Sequence, residues 1–144
     1  MKTKIQQKTT KITKYREAKK GDWKNIKLII SLYPETLMQS NLPKWDKFFV
    51  AENNKKIVGC CALDIYSRRI AEIRSLAVLL NYQRKGIGTN LIKLCLNKAK
   101  KKKILEIITI TGKESLFKKF GFNTFNNEKM ALLKILKTNK NKLQ

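Results

Sequence analysis

The sequence predicts an α/β (α+β) fold, a mixed and mostly antiparallel sheet flanked by helices, on three observations. Residues 47–79 read as three extended runs separated by short turns, which makes an antiparallel meander. Residues 70–111 read as strand, glycine-containing loop, helix and strand. That order is a βαβ crossover, so 70–79 and 104–111 are expected as parallel neighbours. Apolar residues recur at helical spacing in two separate places, before and after the meander.

Taken in order, KITKYREAKK (11–20) supplies a first strand, and GDWKNIKLIISLYP (21–34) supplies a helix. Asp22 is the expected N-cap, and Trp23, Ile26, Ile29 or Ile30, and Tyr33 share one face. Pro34 ends that helix or opens a second short one. KFFVAE, the turn NNKK and KIVGCCALDIY form the first hairpin, SRR interrupts, and IAEIRSLAVL resumes as the third strand of the meander. Ile87, Leu91, Leu94, Cys95 and Ala99 mark the next helix. The lysines at 100–103 close it, where positive charge suits the negative end of the helix dipole. ILEIITIT (104–111) is β-branched and reads as a central strand. ESLFKKFG is a short helix ended by Gly121 at the C′ position. MALLKILK (130–137) is a last strand, or a helix, since its apolar pattern tolerates both.

A chain of 144 residues is long enough to bury one core without disulfides or metal. The expected organisation is a basic flexible tail at 1–10, a single domain over 11–138 and a polar tail at 139–144. Cys60 and Cys61 are adjacent in an extended run and point to opposite faces, and Cys95 lies on the apolar side of its helix. That set has no metal-ligand spacing, so no metal site is expected, and it reads as reduced buried thiols of a cytoplasmic protein. No leader pattern or bilayer-spanning run is read from the sequence, so no membrane partner is expected.

The net charge of +23 suggests nucleic acid. However, 28 of the 33 cationic residues are lysine, spread along the whole chain, and only five are the arginine that bidentate phosphate and base contacts favour. Salt-dependent adhesion to polyanions is expected, and a specific nucleic-acid partner is not.

The stretch with the most chemistry is NYQRKGIGTN, residues 81–90. A strand-to-helix loop with Gly86 and Gly88 one residue apart gathers backbone N–H groups at a helix N-terminus, which suits a phosphate or pyrophosphate. It lacks the Lys-Ser/Thr ending of a P-loop and the third glycine of a dinucleotide fingerprint. On its own it also reads as an ordinary strand-to-helix turn.

QRKGIG within this stretch resembles the Q/R-x-x-G-x-G/A pattern of the GCN5-related N-acetyltransferases (GNAT superfamily). AEIRSLAV (71–78) resembles the family's fourth strand, and SLFKKFGF (115–122) resembles its late helix ending in Gly-Phe. The resemblance runs over roughly residues 13–136, and FFVAENNKKIVGCCALDIYSRRIAEIRSLAV looks most like the stand-alone amino-acid acetyltransferases of the N-acetylglutamate synthase type.

The resemblance implies a GNAT fold whose parallel pair splays to form the cofactor cleft, with acetyl-coenzyme A as cofactor and coenzyme A as product. Leu76, Ala77 and Val78 would bond the pantetheine arm through their backbone. Gln83, Arg84, Lys85, Gly86, Ile87, Gly88 and Thr89 would hold the pyrophosphate, with Arg84 and Lys85 reaching phosphates at the rim. Phe117 stands where many members keep an acidic tyrosine, so the general acid is unassigned, and Phe117 is expected to pack near the cofactor arm or the core. Glu72 matches the position of a glutamate general base in some members; its alternative is an ion pair with Arg68, Arg69 or Arg74 that supports the sheet. With no histidine in the chain, imidazole is excluded from proton transfer.

The implied reaction is acetyl transfer to the amine of a small amino-acid-like acceptor, glutamate among them. Arginine suits an acceptor carboxylate, so Arg74, of the same strand parity as Glu72, is the expected anchor, with Arg68, Arg69 and Tyr66 of the preceding hairpin beside it. NEKMALLKILK lacks the Leu-Pro and cysteine-rich ending common in the glutamate-like branch of the family, which speaks against glutamate in particular. The alternatives are a peptide or protein N-acetyltransferase, or a non-catalytic domain that binds coenzyme A or nucleic acid. A homodimer is one expected assembly.

Overall fold

The structure is a computed structural model that describes residues 12–124 together with Leu132, Lys134 and Leu136. The tails expected at 1–10 and 139–144 and the element expected at 130–137 therefore lie outside the described residues, save those three positions.

Five strands form one sheet in the order β1-β2-β3-β4-β5: Lys14–Glu17, Phe48–Asn53, Lys56–Ile65, Ile70–Val78 and Glu106–Ile108. The first four pair antiparallel and β4–β5 is parallel, so the mixed sheet and its single crossover are as the sequence predicts. Helix α1 (Trp23–Ser31) covers one face, and α2 (Ile87–Lys101) with α3 (Glu114–Lys118) covers the other. Side-chain alternation along the strands divides the core accordingly. Phe49, Ala51, Cys61, Leu63 and Ile73 pack toward α2, whereas Phe48, Val50, Cys60 and Ala62 pack toward α1.

Cys60 and Cys61 thus point to opposite faces, both fully buried. Burial pushes the Cys60 thiol up to about 12. The hydrogen bond shared with Cys95, and then burial, hold Cys61 well above the ordinary thiol range. Neither is a nucleophile at neutral pH.

Two local expectations are sharpened and one is corrected. Asp22 does occupy the N-cap of α1 but makes no side-chain cap bond there. Its carboxylate instead accepts from the Lys19 backbone N–H (2.7 Å) and from Arg16 (2.7 and 3.0 Å), because Arg16 lies between Asp22 and Glu52 and offers stronger, charge-assisted bonds. The Arg16 bond, ahead of other causes, lowers the carboxyl's proton affinity. At Pro34 the chain turns rather than opening a second helix. The strand expected over 104–111 shrinks to Glu106–Ile108, for a reason that creates the cleft described below.

The C-terminal ends of α2 and α3 follow one design. After α2 the Ile104 N–H bonds Ala99 O and the Lys103 N–H bonds Lys100 O, each at 3.0 Å, with Lys103 left-handed. The lysine run therefore terminates a helix. After α3 the Phe122 N–H reaches Phe117 O (3.3 Å) across Gly121 at φ +87°, and the Phe117 and Phe122 rings meet edge to face at 5.3 Å. This is the hydrophobic contact that accompanies such a cap, and it pins Phe117.

Gly59 sets how closely α2 approaches β3. A Cβ there would meet Ile87 Cγ2 at 3.1 Å, the Ala77 carbonyl at 3.3 Å and Leu91 Cδ1 at 3.3 Å. Gly59→Ala is expected to lower unfolding free energy by about 1–3 kcal/mol, the usual cost of overpacking, measured by denaturant titration. A variant as stable as the parent would mean that α2 can shift away freely.

Candidate active site

The site begins at an irregularity in β4. Cys60 pairs with Ala77 and Ala62 with Arg74, so Ser75 and Leu76 together oppose the single residue Cys61. The extra residue is accommodated by Ser75 at φ +57°, a β-bulge that bends the strand. Both cysteines lie against its carbonyls, Cys60 Sγ 3.5 Å from Ser75 O and Cys61 Sγ 4.0 Å from Arg74 O. The parallel ladder to β5 ends at the pair Glu72–Ile108, and beyond it the strands separate. The Thr109 hydroxyl donates to Ile73 O at 3.0 Å, a side chain replacing the next ladder bond. This divergence is why β5 is short.

The gap is a cleft of about 770 Å³, part of it open to solvent. Its walls are the β4 segment from Ile73 to Val78, the segment from Thr109 to Lys113, Phe117 of α3, and Tyr33 with the turn after α1. Arg74 and Lys113 are the charged residues among the described lining, and none is acidic.

Along β4 the backbone alternates between its two edges. The Leu79 N–H bonds Val58 O at 2.8 Å, so Leu79 and Ala77 face β3 while Leu76 and Val78 face the cleft. Of the three residues the sequence assigned to a backbone cradle, the two outer ones present their groups and Ala77 turns its own away. The Val78 carbonyl accepts from the Tyr33 hydroxyl and from Gln83 Nε2 (3.1 Å), and Gln83 Nε2 also donates to Tyr33 Oη at 3.0 Å. Gln83, assigned through its backbone, thus acts through its side chain to tie the loop to the strand end. Tyr33 was missed, because the sequence shows only an apolar helix face ending in it.

The loop then reaches α2 through Arg84 at φ +60° and Gly86 at φ +82°. Gly86 is the N-cap, with no side-chain cap bond, and the first helical hydrogen bond is from the Asn90 N–H to Gly86 O at 3.0 Å. The N–H groups of Ile87, Gly88 and Thr89 therefore have no intrahelical acceptor. A Cβ on Gly88 would meet nothing nearer than Leu76 Cδ2 at 4.0 Å, so the protein leaves open space there. Ile87 turns its side chain into the core, while Arg84 and Lys85 are exposed, with the Lys85 ammonium 5.5 Å over the Tyr82 ring. Unshared donors at the positive end of a 15-residue helix fit a pyrophosphate.

At the opposite end of the cleft, Glu72 is the last β4 residue paired to β5, one position before the lining starts. Its carboxylate accepts the Tyr66 hydroxyl. Burial, followed by that bond, pushes the Tyr66 phenol up to about 12, so Tyr66 stays a donor at neutral pH. Glu72 thus pairs with none of the three arginines named as its structural partners. Arg74 bonds Asp64 (3.4 Å) and Asn41 O (3.1 Å) instead. Arg69 bonds Glu106 (3.0 and 3.2 Å) in the exposed hairpin. From Arg69 to the bulge at Ser75 is about six residues, roughly 20 Å of strand. The structure therefore brings Glu72, Tyr66 and Arg74 together and leaves Arg68 and Arg69 at the far end. Asp64 and Lys47, 2.8 Å apart, also belong to this group and carried no sequence signal beyond strand parity.

A family model described as an acetyltransferase (GNAT) domain matches residues 44–124. An uncharacterized N-acetyltransferase of Chlorobaculum tepidum is 36% identical over 81 residues, 56% of this chain and 52% of the relative, so the chain spans about half of that protein's length. Among solved structures, a Mycobacterium tuberculosis protein in complex with CoA and a second ligand is similar at a TM-score of 0.72 and 28% identity, over 76% of this chain and 71% of its own. The N-acetylglutamate synthase of Neisseria gonorrhoeae, complexed with coenzyme A and L-arginine, is similar at a TM-score of 0.69 and 25% identity, over 83% of this chain and 29% of its own. Among the described residues no helix is long and apolar enough to cross a membrane, and no cluster of three or more His, Cys, Asp or Glu could hold a metal ion.

Proposed function

The chain belongs to the GNAT acetyltransferase family, and from that premise we propose that it is an acetyl-coenzyme A-dependent N-acetyltransferase acting on the amine of a small amino-acid-like acceptor. The observation that carries this reading is the uncapped N-terminus of α2, opening beside a cleft that a bulged β4 holds apart from β5. The CoA complexes of the similar structures support the same cofactor.

The residues present fit the cofactor. The N–H groups of Ile87, Gly88 and Thr89 would hold its pyrophosphate, with Arg84 and Lys85 adding charge at the rim and Gln83 fixing the loop. Leu76 would bond its arm through its backbone and Val78 through its N–H, the Val78 carbonyl being held by Tyr33 and Gln83, and Phe117 would pack along it. Bound there, the cofactor supplies an acetyl thioester, an acyl donor that reacts with a neutral amine.

Glu72 takes the amine proton, directly or through a water, while Tyr66 holds its carboxylate in place. Arg74 binds the acceptor's carboxylate and so orients its amine. Phe117 carries no proton, and the thiolate is a tolerable leaving group that water can protonate. Tyr33 is not the acid, because its hydroxyl proton is committed to the Val78 carbonyl. Among the described residues the cleft lining carries Arg74 and Lys113 and no acidic side chain, with Glu72 one position beyond it, and this favours an anionic acceptor over a basic protein tail.

Thiol release from acetyl-coenzyme A, measured against amino acids including glutamate and aspartate and against acidic and neutral peptides, tests the proposal. Turnover with a free amino acid is expected. Turnover with peptides alone would move the enzyme to protein modification. Saturable cofactor binding without turnover on any acceptor would leave a binding domain.

A further inference from the structure

Two carboxylates face each other across β3 and β4. Asp64 and Glu72 are direct partners in the antiparallel register, on the same face of the sheet. Like charges so placed destabilise a strand pair unless they are compensated. Asp64 is nearly buried, with 7% of its surface exposed. It accepts from Lys47 Nζ at 2.8 Å through Oδ1 and from Arg74 Nη1 at 3.4 Å through Oδ2. Lys47 alone would neutralise the charge of Asp64. The second oxygen is spent on Arg74, a cleft-lining residue whose other Nη atom is held by Asn41 O at 3.1 Å.

We propose that Asp64 is a positioning residue for the acceptor. With the Asn41 carbonyl it grips the two Nη atoms of Arg74 and fixes the guanidinium plane so that its remaining donors serve the cleft. A guanidinium carries five N–H donors, and these bonds use two. A planar fork recognises a carboxylate only in the right orientation, so holding the plane in advance removes the rotamer cost of binding and sets the angle at which the acceptor's amine arrives. The Arg74 side chain is only 18% exposed, which suits a held donor more than a solvated surface charge. The inference rests on the acetyl-transfer reading for its substrate, while the geometry it claims for Arg74 can be read without turnover.

The experiment has two arms. Side-chain NMR on the intact protein compares rotation of the Arg74 guanidinium with that of exposed Arg84. Slow rotation at Arg74 is expected in the parent, with Arg74 becoming as fast as Arg84 in Asp64→Asn. Free rotation at Arg74 in the parent would overturn the proposal even if the variant failed to fold. Kinetics then compare Asp64→Asn, Arg74→Lys and the double variant. Asp64→Asn should raise acceptor KM by about tenfold or more while acetyl-coenzyme A KM moves less than about twofold, as befits a misplaced orienting group. In the Arg74→Lys background the same change should add little, because both substitutions break one device. Unchanged acceptor KM in Asp64→Asn, or equal loss for both substrates, would reduce Asp64 to support of the sheet. If NMR shows the held guanidinium but no carboxylate-bearing amine is acetylated, the acceptor assignment fails and the positioning of Arg74 by Asp64 stands.

Discussion

Gly88→Asp is expected to abolish coenzyme A binding while the protein melts at or slightly above the parent temperature. The two effects separate because they act through different partners. A Cβ at Gly88 meets only Leu76 Cδ2 at 4.0 Å, so the folded chain accepts a side chain there. Gly88 is the second residue of α2, and α2 has no acidic residue in its first turn. A carboxylate near a helix N-terminus stabilises the helix by about 0.3–1 kcal/mol. The same carboxylate would stand in the proposed pyrophosphate site, and like charges brought together cost several kcal/mol, on the order of a 100-fold loss of affinity or more. Calorimetric titration with coenzyme A and a thermal melt of the same sample check both halves. Retained affinity would move the pyrophosphate away from this helix. A large fall in melting temperature would mean that Gly88 serves the fold.

Glu72→Gln should cost turnover on the order of 100-fold or more, the usual reach of a positioned general base, with acetyl-coenzyme A affinity unchanged. Glutamine keeps the length of the side chain and can still accept from Tyr66, so the arrangement at the end of the β4–β5 ladder is preserved and only proton acceptance is lost. Stopped-flow thiol release with the best acceptor gives kcat, and coenzyme A titration gives the affinity. A variant that turns over at the parent rate would take the proton-transfer role from Glu72 and leave it as the partner that holds Tyr66.

Much of the fold was legible in the sequence because its signals are local. The mostly apolar run KIVGCCALDI, the 3.6-residue period from Ile87 to Ala99 and the glycine at 121 each report on residues a few positions away, and the structure carries all three as expected. The parallel pairing of β4 and β5 followed from the handedness and length of a crossover, but its extent did not. The bulge at Ser75 and Leu76 depends on register with β3, and the short β5 follows from that bulge, so no window on ILEIITIT alone could show where pairing stops. Sequence motifs likewise marked the loop at 83–89, whereas Tyr33, Asn41, Lys47 and Asp64 reach the site from three distant segments. Arg69 illustrates the reverse error of proximity in sequence: it is five residues from Arg74, yet it bonds Glu106 at the other end of the strand. Strand parity gave Arg74 its face correctly, and only the structure shows that Asp64 and Asn41, not Glu72, hold it.

The proposed function requires that the α2 N-terminus, and not the general lysine charge, hold the cofactor. Amide NMR during a coenzyme A titration at moderate salt tests it most directly. Saturable shifts are expected, concentrated at Gly86, Ile87, Gly88 and Thr89 and along Leu76 to Val78, with little change at Lys100 to Lys103. Weak, salt-sensitive shifts spread over the lysines, with the amides of Ile87 to Thr89 unmoved, would contradict it.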